Sequence, residues 1–479
     1  MAGSRACTLA GMADAWLPPR SDPRWRTAPV VGADDEVRYL SLVPPHIPRL
    51  TRRVAWLREG ARLVLLDDGY PARLTKAGVI VHPMHGRYIL EDLLRQYEAA
   101  PSDRLRGAIV RTASAIIGRA ESRGSSLLMW YEGGPPGALT AGRRYISGLP
   151  QAYYASLLAR VSAVSSDTAF AVAADRFFEP LLTPVRSGGL LYEGPPGPSL
   201  AMAPTQPRDW VLNGWLSMLV SAGRFAADRP SPAAQELLDT NVRTLVRVLP
   251  AFDAPDQRLS RYMLPGMLTL RLSFSIPPEA IVLRNLRVGI PSEPDDIPIP
   301  LHDASGWQPR VLMQDADHGS ELGELIPRSR GLRMVALLSR APFPRPNRLK
   351  FQIRTSRPMR LGLTAFIGVY GPLQSSTVSR RWVELANVDM AEGTRQVSIA
   401  LPYEPIDLFS YPTNFGRRYG GRHMNTYHGT HIVRLRELAA MTGNRTLASW
   451  AGRWRDYVDE WPSVPDYEGL GCWTPEGEI

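Results

Sequence analysis

Apolar residues recur at every third or fourth position through much of 83–266, a spacing typical of amphipathic α-helices. The pattern predicts six helices in this region, at about 89–97, 105–117, 152–164, 169–181, 210–220 and 237–249. The same period returns after residue 427 and predicts two more helices, at about 432–438 and 447–458. A Thr442-Gly443-Asn444 break separates them, because Gly and Asn are favoured where one helix ends and another begins.

Between these helical parts the pattern changes to alternation. Residues 268–276 alternate apolar and polar side chains strictly, as a half-buried β-strand does. Four further strands are predicted, at 332–338, 349–355, 361–369 and 397–401, with clusters of Pro, Gly, Asp and Asn between them. Residues 267–424 are therefore predicted to form an inserted β-rich domain, an antiparallel sandwich.

Two similar loops precede the third and fifth predicted helices. They read Tyr131-Glu132-Gly133-Gly134-Pro135-Pro136-Gly137 and Tyr192-Glu193-Gly194-Pro195-Pro196-Gly197. One copy falls in each helix pair, and paired helices with functional loops at one end are the arrangement of an α/α toroid. Plain turns would also account for both loops.

The fold class predicted from these patterns is α+β, an incomplete α/α toroid with an inserted antiparallel β domain. The helical module spans 81–266 plus 425–465, and the insertion spans 267–424. Residues 1–80 are rich in Pro and Arg and are predicted to be an irregular segment with one short strand near 61–66. Residues 466–479 are a tail.

Composition agrees with a folded chain of several domains, since 479 residues exceed one ordinary core and 44% of them are hydrophobic. The net charge is +10. Such a charge attracts nucleic acid, anionic membranes or acidic polysaccharides, although a solvated arginine-rich surface would account for it equally well. No basic stripe interleaved with aromatic residues points to nucleic acid.

Cysteine usage and apolar runs narrow the chemistry further. Only Cys7 and Cys472 are present, without partners at metal-ligand spacing, so neither a zinc site nor a disulfide framework is expected. The first 20 residues lack the apolar core of a secretory signal, and no apolar run approaches a membrane span. The expected compartment is the cytoplasm, with no integral membrane segment.

Four blocks in the helical parts share their residues with one family's motifs. They are Tyr145-Ile146-Ser147-Gly148-Leu149-Pro150-Gln151-Ala152, Val211-Leu212-Asn213-Gly214, Ser260-Arg261-Tyr262 and Tyr427-His428-Gly429-Thr430-His431-Ile432. In this order they resemble the C-terminal helical module of D-glucuronyl C5-epimerases. The resemblance covers about 82–266 plus 425–460. Members of the family usually join the last two blocks by a short segment, so the β-rich region marks this chain as a divergent, bacterial-type member.

The resemblance implies an isomerase that inverts C5 of hexuronic acid residues in an acidic, heparosan-like polysaccharide. The C5 proton lies next to a carboxylate, and its removal leaves an enediolate-like intermediate. The reaction needs a base on one face of the sugar and an acid on the other, with cations or hydrogen-bond donors on the carboxylate. The family assignment implies that Tyr262 and Tyr427 are this acid–base pair, with no metal and no cofactor.

The resemblance also implies substrate-binding residues around the pair. Arg261, His428 and His431 are candidates for carboxylate contact or for tuning the tyrosines. Hydroxyl or ring contacts with the sugar are assigned to Asn213, Gln151 and Tyr145.

Structural roles are equally open to the same residues. A tyrosine at position 262 also suits packing, and Asn213 also suits a buried backbone partner. Because His428 and His431 are three residues apart on one predicted helix face, they could bind a metal or brace the helix start.

The chain departs from the family at two places. Ala201-Met202-Ala203-Pro204 stands where the family has Glu-Glu-Tyr-Pro, and Glu193, beside Tyr192, is the nearest acidic replacement upstream. Met263-Leu264-Pro265 stands where the family has Asp-Leu-Arg. The missing cation would have to come from another arginine: Arg258, Arg261, Arg417 or Arg422.

These departures leave three functional interpretations. The first is a uronate C5-epimerase. The second is a non-catalytic relative that binds an acidic glycan or scaffolds polysaccharide biosynthesis. The third is a uronate polysaccharide lyase, because the same carbanion can expel the substituent at C4. The partner in each case is an acidic polysaccharide or oligosaccharide, and the resemblance allows a homodimer.

Overall fold

The computed structural model describes residues 62–66, 68–75, 78–132, 144–302, 310–321, 323–340, 345–370, 377–401, 413–419, 421–474 and 477–478. The predictions for 1–61, which include Cys7 and the start of the N-terminal segment, lie outside this part of the chain. So does most of the first Gly-Pro loop, 133–143.

All eight predicted helices are confirmed. Their bounds are α1 His85–Ala99, α2 Asp103–Arg119, α3 Gly148–Ser165, α4 Thr168–Leu182, α5 Leu212–Asp228, α6 Pro232–Val248, α7 Thr426–Thr442 and α8 Arg445–Glu460. The predicted break between the last two is also confirmed, because Gly443 is left-handed (φ 65°) and Asn444 caps α8. The fifth helix begins at Leu212, two residues later than predicted, since Trp210 has a positive φ of 39° that no helical residue adopts.

The helices pack as four neighbouring pairs. The first member of each pair contacts the next first member, so α1 packs on α3, α3 on α5 and α5 on α7. Each of these first members also packs against its own partner: α1 on α2, α3 on α4, α5 on α6 and α7 on α8. One large apolar core, with Leu90, Phe177, Trp215, Leu435 and Trp454 among its members, runs through all eight helices.

The first members of the pairs begin at one end of this module. The N–H of Gly148 at the start of α3 donates to Ala201 O (3.2 Å), just ahead of α5. The N–H of Leu212 at the start of α5 donates to Tyr262 O (3.0 Å). At the start of α1, Pro83 O accepts from the hydroxyl of Tyr154, which lies on α3. Residues that precede or open these helices are therefore neighbours in space.

Short strands connect the helices and support these starts. Their bounds are β1 Arg62–Leu65, β2 Pro71–Thr75, β3 Gly78–Ile80, β4 Glu121–Arg123, β5 Ser126–Leu128, β6 Trp130–Glu132, β7 Arg144–Ile146, β8 Leu191–Tyr192, β9 Ser199–Leu200, β10 Asp253–Ala254 and β11 Leu259–Ser260. The antiparallel pairs β6–β7 and β8–β9 enclose the two similar Gly-Pro loops, and each pair precedes a first-member helix. The predicted strand near 61–66 corresponds to β1.

The strands of residues 265–401, which lie between α6 and α7, form two facing sheets. Their bounds are β12 Pro265–Phe274, β13 Ile281–Gly289, β14 Ile297–Pro298, β15 Leu301–His302, β16 Arg310–Leu312, β17 Ala316–His318, β18 Glu324–Pro327, β19 Gly331–Ser339, β20 Asn347–Thr355, β21 Met359–Tyr370, β22 Thr377–Met390 and β23 Gly393–Leu401. One sheet has the order β15-β16-β19-β12-β21-β22 and the other β17-β18-β13-β20-β23, with β14 beside β13. Almost all neighbours are antiparallel, and only β15 and β16 pair in parallel among the strands that the structure describes here.

All five strands predicted in this region are confirmed, as β12, β19, β20, β21 and β23. The strict alternation at 268–276 has the expected cause, because Leu268, Leu270, Leu272 and Phe274 face a second apolar core between the sheets. The α+β class is therefore confirmed.

After the sheets the chain returns to the helices through β24 Arg417–Tyr419 and β25 Arg422–Asn425, and it ends in β26 Gly471–Thr474 and β27 Gly477–Glu478. Asn425 at the end of β25 caps α7 by accepting from the N–H of His428 (3.0 Å). Across the described ranges, none of the helices is long and apolar enough to cross a membrane.

Candidate active site

The two tyrosines singled out by the sequence lie against each other. The ring centroids of Tyr262 and Tyr427 are 4.6 Å apart, with the ring planes inclined at 58°. Tyr427 is the second residue of α7, and Tyr262 follows β11 by two residues. Both residues are intermediate between buried and exposed.

The contact depends on Ser260, which joins the chain before the sandwich to the helix after it. Its N–H donates to His428 Nδ1 (3.0 Å), and its hydroxyl lies 2.8 Å from that nitrogen and 2.7 Å from His431 Nδ1. Its carbonyl accepts from the N–H of Thr413 (2.8 Å). These bonds hold β11 against the first two turns of α7, so Tyr262 and Tyr427 face each other.

His428 and His431 consequently lie behind the tyrosines and are both 0% exposed. His428 Nε2 is 2.9 Å from the carbonyl of Trp454, so this nitrogen carries the proton and Nδ1 accepts from Ser260. This placement does not fit the predicted contact with a substrate carboxylate. It does fit the alternative of bracing the helix start.

Burial also keeps the two histidines neutral. It lowers the pKa of His428 to about 4 and that of His431 well below its ordinary value. In the part of the chain that the structure describes, no group of three His, Cys, Asp or Glu side chains lies together as metal ligands would.

A second brace holds the same region from the outer side. Asp253 in β10 accepts from Trp454 Nε1 (3.1 Å) and Tyr457 OH (3.2 Å), and forms an ion pair with Arg453 (2.8 Å). All three partners lie on α8, which packs on α7. The β10–β11 hairpin that leads to Tyr262 is thus anchored to both α7 and α8.

Arg417 supplies a cation beside the tyrosine pair. Its guanidinium carbon lies 5.7 Å from the ring centroid of Tyr427. Burial raises the pKa of the Tyr262 phenol well above its ordinary value; its neighbour Tyr427 and, more weakly, Asp209 add to the rise, whereas Arg417 opposes it. Tyr262 therefore holds its proton firmly although a positive charge lies nearby.

Of the four arginines considered as replacements for the missing family cation, Arg417 has the clearest relation to the pair. Arg258 is bound to Glu460 at the surface, and Arg422 is exposed. Arg261 is only 3% exposed, which does not fit its predicted contact with a polymer.

Further tyrosines extend this site along the helix starts. Tyr131 and Tyr145 pair across the β6–β7 hairpin and stack at 5.1 Å, and His82 meets the Tyr131 ring edge-on at 5.2 Å. Tyr145, predicted to contact sugar, is fully buried, and its pKa is raised well above the ordinary value, mainly by burial and also by the neighbouring Tyr131, Asp209 and Tyr262. Tyr145 therefore stacks on Tyr131 and also lies near Tyr262.

Tyr88 and Tyr153 pack in the same cluster as Tyr131 and Tyr145. The guanidinium carbon of Arg87, on α1, lies 4.8 Å from the Tyr88 ring and 4.0 Å from the Tyr153 ring. Burial raises the pKa of Tyr88, and the charges of Arg87 and Arg417 oppose that rise. Tyr88, Tyr131, Tyr153 and Arg87 were not predicted as site residues, and of these only Tyr131 carries a signal in the sequence, its place in the repeated loop.

Asp209 is a buried acid that the sequence analysis also missed. It directly precedes Trp210, and its carboxylate accepts from the N–H of Ala203 (2.6 Å). Burial raises its pKa to about 7, although four backbone N–H groups stabilise the anion. Its charge contributes to the raised pKa of Tyr145 and of Tyr262. An acidic residue therefore lies near Tyr262 although the Glu-Glu-Tyr-Pro run is absent.

The remaining predicted contacts fall into different places. Asn213 opens α5 next to the backbone of Tyr262, and within the described residues its buried Oδ1 has no hydrogen-bond partner. Gln151 is fully buried and bonds Met129 N (3.0 Å) and Leu127 O (2.7 Å), which does not fit contact with a sugar hydroxyl. Glu193 is exposed and pairs with Arg186 (2.9 Å) at the surface.

Comparison with known protein families finds a match over part of the chain. Residues 137–273 match the model of the D-glucuronyl C5-epimerase C-terminus, and this range includes Tyr145, Asp209, Asn213 and Tyr262. No curated protein matches the chain. The match supports an epimerase-like function in general. Over this segment, which is less than a third of the chain, the protein is similar to the C-terminal module of D-glucuronyl C5-epimerases.

Proposed function

We propose that the chain is an isomerase that inverts C5 of uronic acid residues in an acidic polysaccharide. The observation that carries the proposal is the contact between Tyr262 and Tyr427, 4.6 Å apart between ring centroids. They are partly exposed phenols from two distant parts of the chain. Epimerisation at C5 needs two groups that exchange protons with one carbon.

In the proposed reaction, the tyrosine that acts as base enters as the phenolate, takes the proton from C5 and becomes a neutral phenol. The electrons of the C–H bond move into the carboxylate and form an enediolate-like anion. Arg417 lies where its charge can stabilise that anion, which is the role that the missing family arginine leaves open. The second tyrosine then delivers a proton to the opposite face of C5, and the electrons return to form the new C–H bond.

The charges around the two phenols suggest their roles. Tyr262, whose pKa is raised by burial and further by Tyr427 and Asp209, is suited to donate its proton. Tyr427 lies beneath the guanidinium of Arg417 and is suited to accept the C5 proton. A group pushed toward its neutral form and a neighbour placed next to a cation are the usual division between acid and base.

The surrounding groups complete the proposed site. Asn213 Oδ1, at the start of α5, is positioned to accept from a sugar hydroxyl. A sugar ring that enters between the two phenols has to separate them, because their ring centroids are only 4.6 Å apart. The polymer itself is an acidic polysaccharide, in keeping with the net charge of +10.

We also propose a domain arrangement for this function. Residues 81–266 plus 425–465 form an incomplete α/α barrel in which α1, α3, α5 and α7 are the inner helices. Residues 267–424 form the inserted sandwich. The order of contacts between first-member helices and the common position of their starts support this arrangement.

Deuterium exchange tests the function directly. The protein is incubated in heavy water with heparosan and with other uronate polymers, and the C5 position is examined by NMR and mass spectrometry. Deuterium at C5 without shortening of the chain is expected. Absence of label on every polymer, with binding retained, would instead identify a glycan-binding relative.

Tyr427→Phe tests the proposed base. Loss of the hydroxyl is expected to lower the exchange rate at least a hundredfold, the usual scale of one acid–base group, while the fold is kept. Tyr97→Phe is the matched control, because Tyr97 lies on the outer part of α1 and bonds the surface residue Arg106 (3.1 Å). Exchange at the wild-type rate in Tyr427→Phe would exclude the proposed role.

A lyase is the second candidate, since the two phenols contact each other directly. Adjacent acid and base groups on one side of a sugar suit removal of the C5 proton together with protonation of the departing C4 oxygen. The same incubation separates the two reactions. Unsaturated chain ends that absorb in the ultraviolet, with shortened chains, identify the lyase.

A further inference from the structure

Five charged side chains join three of the first-member helices beside the candidate site. Arg87 and Glu91 lie on α1, Arg224 on α5, and Arg434 and Glu437 on α7. Arg87 pairs with Glu91 (2.9 Å), and Arg434 with Glu437 (2.5 Å). Arg224 lies between them, 3.9 Å from Glu91 and 3.4 Å from Glu437. This interhelix network contains three guanidinium groups and two carboxylates.

Arg87 is the member of the network that meets the tyrosines. The residue is 9% exposed, and its buried Nε has no hydrogen-bond partner among the described residues. Its guanidinium lies against the rings of Tyr88 and Tyr153, and Tyr88 also senses the charge of Arg417. Tyr88 is therefore close to two cations, Arg87 and Arg417.

A buried N–H donor without a partner on a charged group is costly, because the lost hydration is not replaced. Here the cost falls on Arg87 Nε. An oxyanion that accepts from Nε would supply the missing partner, and planar guanidinium groups match carboxylate and sulfate groups in geometry.

We propose that Arg87 is a second anion-binding position, which holds a carboxylate or sulfate group of an acidic glycan. Arg417 binds the sugar at Tyr262 and Tyr427, and Arg87 binds a charged group further along the polysaccharide. The site therefore selects polymers that carry anionic groups on sugars near the reacting one. The anion-binding site itself does not depend on the proposed reaction; only its assignment to a neighbouring sugar rests on that function.

Calorimetric titration with two heparosan hexasaccharides, one unsulfated and one N-sulfated, tests the proposal without turnover. The test variant is Arg87→Met with Glu91→Gln, which removes both partners of one ion pair and leaves no unpaired Glu91 charge. Because a charge-assisted hydrogen bond is lost, the dissociation constant is expected to rise about tenfold or more. Arg87→Lys keeps the charge and the pair with Glu91, and is expected to recover part of the affinity.

The matched control is Arg229→Met with Asp175→Asn, which also removes one ion pair without a change in net charge. This pair is exposed at the surface, with a separation of 2.6 Å, and its loss should leave the affinity unchanged. Weakening of both hexasaccharides identifies the bound group as a carboxylate, and weakening of the sulfated one alone identifies it as a sulfate. Wild-type affinity of the Arg87 variants for both would overturn the proposal. Absence of C5 exchange together with weakened binding would overturn the proposed function and leave the anion site standing.

Discussion

At the scale of single residues, the site shows how one motif can carry two kinds of role. Tyr427 is partly exposed, whereas His428 and His431, one and four positions later on the same helix, are buried. A sequence motif records that these residues occur together but not which of them are buried. The motif therefore assigns both histidines to the substrate, although they hold Ser260 instead.

The buried histidines predict a dependence of stability on pH. Their pKa values are lowered by burial, to about 4 for His428, whereas the unfolded chain has ordinary values near 6.5. Below that value the unfolded state binds more protons than the folded state, so stability is present above about pH 6.5 and is lost as the pH falls. Each histidine contributes a slope of roughly 1.4 kcal/mol per pH unit to the free energy of unfolding.

Urea denaturation at pH 7.5, 6.5, 6.0 and 5.5 measures this slope. His431→Gln is expected to reduce it, because one buried titrating group is removed. His318→Gln is the control, since His318 lies exposed on β17. An unchanged slope in His431→Gln would show that the loss of stability on acidification has another source.

At the scale of secondary-structure elements, the important contact is that of β11 with α7. These elements are separated in sequence by the whole sandwich and are joined by the single hydroxyl and backbone of Ser260. Ser260→Ala leaves the ring nitrogen of His431 without its hydroxyl partner. The expected cost is about 1–3 kcal/mol of unfolding free energy, together with reduced C5 exchange because Tyr262 is less well positioned.

Ser463→Ala is the matched control for this change. Ser463 is exposed and its hydroxyl donates to Glu460 O (2.7 Å), so its loss is expected to alter stability by no more than about 0.5 kcal/mol. Urea denaturation compares the two variants with the wild-type protein. Equal stability of the two variants would remove Ser260 as the joint between the elements.

Elements whose apolar residues repeat at a regular spacing, because they face one apolar core, were predictable from the sequence. Elements without such a repeat were not. Six of the eight helices and β12 carry a clear repeat, whereas the repeat is weak in α3 and α7. β13 was missed because a bulge between Arg284 and Arg287, with Asn285 at φ 52°, breaks the alternation of its buried residues. β22 was missed because it is an edge strand with few buried positions, and Trp382 on it is 42% exposed.

The candidate site divides in the same way. The motif identified Tyr262 and Tyr427, whose contact then followed from the return of the chain after the sandwich. Arg87, Tyr88 and Asp209 carried no local signal, since their importance comes from neighbours on other helices and loops. Burial and partner geometry, which decide such roles, are properties of the packed chain.

At the scale of the whole molecule, the sandwich contacts the segment that carries Asp209. Glu293, in the turn after β13, accepts from the backbone N–H of Arg208 (3.1 Å), which immediately precedes Asp209. The Arg208 side chain is 2% exposed and donates to Gly197 O (2.9 Å), within the second Gly-Pro loop. The inserted domain thus holds the segment that carries Asp209 and leads into α5.

Glu293→Ala is therefore expected to loosen this segment while both domains stay folded. Removal of the carboxylate deprives the Arg208 N–H of its acceptor, so local opening becomes easier and amide exchange faster. Hydrogen exchange followed by mass spectrometry should show faster exchange in peptides that cover 201–211, with unchanged protection of α2 and β20. Glu279→Ala, on an exposed turn of the same domain, should leave 201–211 at the wild-type rate. If exchange in 201–211 is the same in Glu293→Ala and Glu279→Ala, the sandwich does not stabilise the site through this contact, and the Glu293 carboxylate has no part in holding Asp209 beside the tyrosines.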